Sequence, residues 1–238
     1  MLTKTKFKRA LCWILGVFSV WFCYQIVFLP SGKEFKAAAP HRSALMDLQE
    51  QNLLRYGFKA LKYNYVPLNK ISPSLRLAVL IAEDFDFPDH SGFSLYEMYN
   101  SMRSALINFR IPRGASTITQ QLARNLYLSP SKSPFRKIKE AIITVKLERT
   151  LSKQRIFEIY LNIVELGPGI FGAEAASRYW FSKSAADLTL TEAAKLAAIL
   201  PGPNSAFNPV RNPSRVSKRQ QLLIRRITMT KATLPKGL

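Results

Sequence analysis

Cysteine and histidine are nearly absent from this chain of 238 residues, which has two of each. Cys12 and Cys23 lie in one apolar run, far from His41 and His90, so a four-ligand Cys/His zinc site is excluded. On one helix the two cysteines stand about 16 Å apart, too far for a disulfide. The chain beyond residue 30 has no cysteine, so it must be held by its core alone. Convincing period-two alternation, solenoid repeats and heptad arrays are also missing, which argues against sheet-built and repeat folds. Acids are scarce, 15 Asp+Glu against 35 Lys+Arg, for a net charge of +20. Such an excess suits a polyanion, whether nucleic acid, an anionic membrane surface or a phosphorylated substrate, or simply a solvated basic surface. Hydrophobic residues make up 47% of the chain, which excludes disorder and collagen-like repeats. The length suits one good core with an appendage and leaves no room for two large catalytic domains.

The appendage is at the amino terminus. Residues 1–9 form a basic tail carrying Lys4, Lys6, Lys8 and Arg9, and Ala10 to Leu29 is an uncharged stretch whose most polar member is Gln25. A helix of about 20 residues covers the roughly 30 Å hydrocarbon core of a bilayer. Ala37, Ala38 and Ala39 offer a cleavage-like pattern, but the apolar run exceeds a signal-peptide core, Lys33, Glu34 and Lys36 intervene, and Pro40 would follow the cut. The reading is an uncleaved single-pass anchor in the cytoplasmic (inner) membrane. Its basic flank keeps the amino terminus in the cytoplasm and places the remainder on the periplasmic or extracytoplasmic side.

Residues 30–44 read as a linker and 45–238 as one domain of mainly α class. Ser72 and Pro73 fit the N-cap and N1 of a helix, Ser94 with Glu97 forms a capping-box pattern, and Ser116 is the expected cap of TITQQLARNLYL. Leu95, Met98, Met102, Ala105, Leu106 and Phe109 recur at helical spacing. Pro134 opens a further helix, Ser152 caps another, and Thr189 with Glu192 repeats the capping-box pattern. Asn108 to Ala115, with Pro112, Gly114 and two arginines, is expected to be a mobile basic loop. After Glu192 every charged side chain is Lys or Arg, which reads as a solvated tail or a surface resting on anionic headgroups.

With so few carboxylates, their positions are readable. Glu83, Asp84, Asp86 and Asp89 cluster with His90 at the end of the apolar stretch LAVLIAEDF, and Glu140 stands among Lys132, Arg136, Lys137 and Lys139. Between them lies the uncharged polar run from Gly114 to Gln121, whose Thr and Gln side chains suit a site or backbone bonding better than a core. A carboxylate shielded from water can serve as a general base, and clustered cations can hold an anionic group. Glu83, following AVLIA, can gain basicity by desolvation, and Arg124, Lys132, Arg136 and Lys137 can supply the cations.

The strings EDFDFPDHSG (83–92), GASTITQQ (114–121), RKIKE (136–140), and EIYLN (158–162) with GPGIFGAEAA (167–176) resemble, in order, the motifs of the peptidoglycan glycosyltransferases of family 51. With its single span and one domain the chain is most similar to the monofunctional biosynthetic transglycosylases of that family. The resemblance implies a lysozyme-like glycosyltransferase fold with a small membrane-contacting lobe, and polymerisation of lipid II into glycan strands. It implies that undecaprenyl diphosphate is released, with inversion at the donor anomeric carbon. It makes Glu83 the general base on the acceptor 4-hydroxyl and Glu140 an assistant at the donor diphosphate. By the same resemblance Arg103, Ser116, Thr117, Gln120, Gln121, Arg124, Asn125, Lys132, Arg136 and Lys137 bind substrate. Asp84, Phe87, His90, Gly92 and Gly114 are structural motif positions. Two cations depart from the usual pattern: Arg124 stands for a lysine, and Lys132 for an arginine, which gives up bidentate phosphate recognition.

Residue chemistry also marks Phe87 and Tyr160 as core, Asp84 as a structural partner, and His90 as bonded to backbone rather than catalytic. Ser129 to Lys132 matches S-x-x-K, but no K-T-G follows, so the match is accidental. No cofactor is required; a divalent cation, Mg2+ or Mn2+, at Glu140 is an option. The expected partners are lipid II, the growing strand, anionic membrane lipids and division or elongation proteins, with nucleic acid set aside. The competing functions are a glycan-cleaving enzyme on a lysozyme-like fold and a membrane-anchored scaffold of the wall-building machinery.

Overall fold

The computed structural model describes residues 4–55, 61–107, 116–130 and 133–238. The expected basic loop around Gly114 and the S-x-x-K lysine, Lys132, lie outside them, as does Phe109. The described residues are mainly α-helical, as the apolar periodicities predict.

Helix α1 (Lys4–Phe28) is long and apolar enough to cross a membrane, and it is unburied from Lys6 up to Gln25, which is itself buried. It meets the domain where Trp21 packs edge-on against Phe135, with ring centroids 5.6 Å apart. The stretch read as a linker lies on the domain surface. Arg155 donates to the carbonyls of Phe35 (2.8 Å) and Ala38 (2.7 Å), and the Tyr127 hydroxyl donates to Glu34 (2.6 Å). Backbone carbonyls satisfied by side chains of the domain make this stretch a strap, a use that composition does not encode.

After α2 (Ala44–Arg55), the core is built on α3 (Pro73–Glu83), which packs on α9 (Leu190–Ile199) and α10 (Pro213–Met229). Ala193, Ala194, Ala197 and Ala198 are all buried on α9, and side chains this small let α3 approach closely. A second layer stacks α5 (Ile118–Tyr127) against α6 (Pro134–Thr150) and α7 (Lys153–Ile163). A small sheet runs β1 (Lys62–Tyr63), β3 (Ile170–Phe171), β2 (Glu165–Gly167), with β1 parallel and β2 antiparallel to β3. The turn after β3 depends on Gly172, at φ +82°, where a Cβ would lie 2.2 Å from the Asn162 carbonyl oxygen. Helix α8 (Ala173–Phe181) follows it.

Helix α4 (Leu95–Ile107) buries none of its residues, and Leu95, Tyr96, Tyr99, Met102 and Leu106 are all exposed. Its helical periodicity is therefore real, but its apolar face is turned outward. A cluster of exposed apolar side chains of this kind marks a surface that takes a partner.

Candidate functional site

Ser72 caps α3 by accepting from the Leu75 N–H (3.1 Å), Pro73 follows at N1, and the helix runs apolar to Glu83. Asp84 ends it. One Asp84 oxygen accepts from the Ile118 N–H at the start of α5 (2.8 Å), and the other lies 2.9 Å from His90 Nε2. The Gly92 N–H donates to His90 Nδ1 (3.1 Å), so the imidazole proton sits on Nε2 and is donated to Asp84. Thr117 Oγ1 donates to the Gly92 carbonyl (2.7 Å), and Gly92, at φ +92°, presses on Thr144, where a Cβ would come within 2.6 Å. Asp84, His90, Gly92 and Thr117 thus clamp the first motif to the start of α5, with a carboxylate at the positive end of the helix. His90 takes its backbone bond, as its residue chemistry predicts. Phe87 is fully buried against Phe157, with Lys153 Nζ 4.3 Å above its ring.

This clamp delivers Glu83 into a cavity of about 350 Å3, lined also by Ser116, Gln121, Arg124, Pro201 and Arg219. Gln121 Nε2 donates to Glu83 Oε2 (3.0 Å) and to the Ser116 carbonyl (3.3 Å), while Arg219 donates to Glu83 Oε1 (3.3 Å) and to the Ala82 carbonyl (3.3 Å). Burial raises the Glu83 pKa above its ordinary value; the Gln121 hydrogen bond and the charges of Arg219 and Arg124 act against it, and Asp84 adds to it. The result is a desolvated carboxylate kept ionisable by donors, as a general base requires.

Of the substrate-binding candidates, Ser116, Gln121 and Arg124 line this cavity. Thr117 and Gln120 do not. Thr117 is the N-cap of α5, displacing Ser116 from that role, and the two side chains satisfy each other's backbone N–H groups in a capping box. Asn125 is buried on the same helix. Arg103 is exposed on α4 and is not among the residues that line the cavity. Glu140 is only 1% exposed and holds Arg136 Nη1 (2.9 Å) and Lys137 Nζ, one on each oxygen. It does not line the Glu83 cavity; its visible work is to fix two cations at the start of α6.

Among the described residues, the donors near these carboxylates do not form a set free to take a divalent cation. Glu140 offers one carboxylate already neutralised by two cations. Asp84, Asp86 and His90 bring ligand atoms within 4.8 Å of one another, but both His90 nitrogens and both Asp84 oxygens are committed.

Two contributions to this region are not legible in the sequence motifs, the place of Arg219 and the contact made by the Tyr160 hydroxyl. Arg219 belongs to the stretch read as a tail or headgroup-facing surface. That stretch is α10, and Arg219 shares the face of the buried Val216, Leu223 and Ile227. Pro213 as a helix start and a lone arginine within a buried i, i+7, i+11 pattern are the signals that would have found it. Tyr160 is fully buried, as expected of core, yet its hydroxyl donates to Gln121 Oε1 (3.0 Å).

Comparison with known proteins shows the family. The Transglycosylase family profile matches residues 49–228. A biosynthetic peptidoglycan transglycosylase of Chromobacterium violaceum is 40% identical over 223 residues, covering 93% of this chain and 95% of the relative. Proteins of the same name from Neisseria gonorrhoeae (42% identical, 85% of this chain and 86% of the relative) and Nitrosospira multiformis (38%, 93% of each) align similarly. The match takes in α3 to α10, and with it both carboxylates, the α5 cap and Arg219, so the chain belongs to the transglycosylase family.

Proposed function

We propose that this transglycosylase polymerises lipid II, with Glu83 as the general base. The observation that carries the reading is the Glu83 carboxylate, largely desolvated, in one cavity with the guanidinium groups of Arg124 and Arg219. The acceptor sugar 4-hydroxyl attacks the donor anomeric carbon, its proton passes to Glu83, and the bond from that carbon to the diphosphate oxygen breaks on the opposite face. The anomeric centre inverts, and undecaprenyl diphosphate leaves as an anion that needs cations rather than a proton donor. Arg136 and Lys137, held by Glu140, are the cations assigned to it, with Glu140 as their positioning residue. The amino-terminal helix anchors the domain on the outer side of the cytoplasmic membrane, and the exposed face of α4 rests in lipid. Confinement of enzyme and lipid-linked substrate to one surface raises their effective concentration.

Full-length protein in detergent, incubated with lipid II, yields a ladder of glycan polymers on a gel together with free undecaprenyl diphosphate. Cleavage of finished glycan with no polymer formed would instead make Glu83 a protonated acid and the chain a glycan-cleaving enzyme.

The ionisation of Glu83 sets a pH prediction. The base works only when deprotonated, and burial has moved its pKa upward, so the acid limb of the rate profile lies above the ordinary carboxylate range. Arg219→Ala removes a positive charge that opposes the shift, so the limb moves to still higher pH. A pH–rate profile of polymerisation checks it; an unmoved limb would return Arg219 to a purely structural role.

A further inference from the structure

We propose that Tyr160 is a positioning residue for the general base, acting through the amide of Gln121; this rests on the assignment of that role to Glu83. Tyr160 is on α7, wholly buried, and it reaches the reacting group by two hydrogen bonds in series. Its hydroxyl donates to Gln121 Oε1 (3.0 Å), and Gln121 Nε2 donates to Glu83 Oε2 (3.0 Å). In the flipped amide, Gln121 Oε1 would face the Glu83 carboxylate and the Ser116 carbonyl, three acceptors with no proton between them. The tyrosine hydroxyl satisfies Oε1 from the core side, so the amide can be buried in the one orientation that serves Glu83. Burial also raises the Tyr160 pKa well above its usual value, which keeps the phenol a donor.

The consequence falls unequally on the two Glu83 oxygens. Oε2 is held by an amide that is itself anchored on two further sides. Among the described residues Oε1 has only the longer contact to Arg219, whose Nε is there buried without a partner and whose side chain is 30% exposed. Oε1 is therefore the atom that accepts the hydroxyl proton, and Tyr160 with Gln121 fixes the direction in which it points. Without the Tyr160 hydroxyl, Gln121 Oε1 loses its donor, the amide turns toward the cavity, and Glu83 loses its fixed oxygen.

The charged and titratable groups facing Glu83 are Arg124 on α5, Arg219 on α10, the adjacent Asp84 and Tyr160 itself. Turning the Gln121 amide away takes a hydrogen bond from the ionised carboxylate in this surrounding, so its pKa rises. Tyr160→Phe in the full-length protein should lower kcat for lipid II about tenfold, the scale of a modest misplacement, while KM moves less than about twofold and the acid limb shifts to higher pH. Gln121→Met should do the same, and the double variant should be no worse than either single one. In the Glu83→Gln background, Tyr160→Phe should change nothing further. A wild-type kcat and pH profile for Tyr160→Phe, or losses that multiply in the double variant, would overturn the proposal. Should Tyr160→Phe fail to fold, an unmoved kcat and acid limb in Gln121→Met overturns it equally. If Glu83→Gln is itself active, the base assignment falls. If Glu83→Gln is inert while Tyr160→Phe is normal, only the role of Tyr160 falls.

Discussion

Glu83→Gln lowers the rate of lipid II polymerisation by at least ~10²-fold, the low end of a general-base contribution, in a protein that folds normally. The substitution keeps side-chain volume and removes only the capacity to take a proton. The amide oxygen can still accept from either Gln121 or Arg219, so the cavity loses one hydrogen bond and no packing. Circular dichroism and the melting temperature, measured beside the polymer yield, separate lost chemistry from lost structure. Glu140→Gln provides the contrast. Its carboxylate binds Arg136 and Lys137 outside the Glu83 cavity, so it should weaken binding of a diphosphate-bearing donor more than it lowers the rate at saturation. Near wild-type polymerisation by Glu83→Gln sinks the base assignment. Asp84 is then a poor successor, since both its oxygens are occupied, whereas Asp86 has Oδ1 buried without a partner.

The sequence made legible whatever is local. Ser72, Ser152 and Thr189 cap the helices predicted for them, because a cap needs only its own side chain and N–H groups two or three residues on. The α5 cap slipped from Ser116 to Thr117 because two hydroxyl residues adjoin there and only the second has a glutamine at N3. The periodicity of α4 was equally readable, but which medium meets its apolar face depends on where the rest of the chain lies. The same limit hid the third dimension of the site. Glu83, Gln121 and Tyr160 all fall in motifs and Arg219 in none, but no local pattern records that Tyr160 on α7 reaches Glu83 through Gln121 or that α10 brings Arg219 to the end of α3. The basic character of residues 193–238 was visible; that one of those arginines turns inward follows only from packing.

Asp84→Ala is the substitution expected to cost the most stability around the site. It strands two donors at once: the Ile118 N–H, an orphan of the α5 amino terminus, and His90 Nε2–H, whose tautomer is fixed by the Gly92 N–H on the other ring nitrogen. Each unsatisfied buried donor costs about 1–3 kcal/mol, and the carboxylate also loses its favourable place at the helix dipole. A combined loss of about 3 kcal/mol lowers the melting temperature of a domain this size by about 6–12 °C. His90→Ala alone should cost less, because Asp84 keeps its bond to Ile118. The double variant should be less destabilised than the two single losses added together, by about 0.5–3 kcal/mol, since both remove the same contact. Thermal unfolding of the three variants measures this directly. An Asp84→Ala protein that melts with the wild type would show that the bond to α5 contributes little. An additive double variant would show that Asp84 and His90 act separately. The coupled outcome would mean that Glu83 is presented to its substrate by a clamp made from the residues immediately after it.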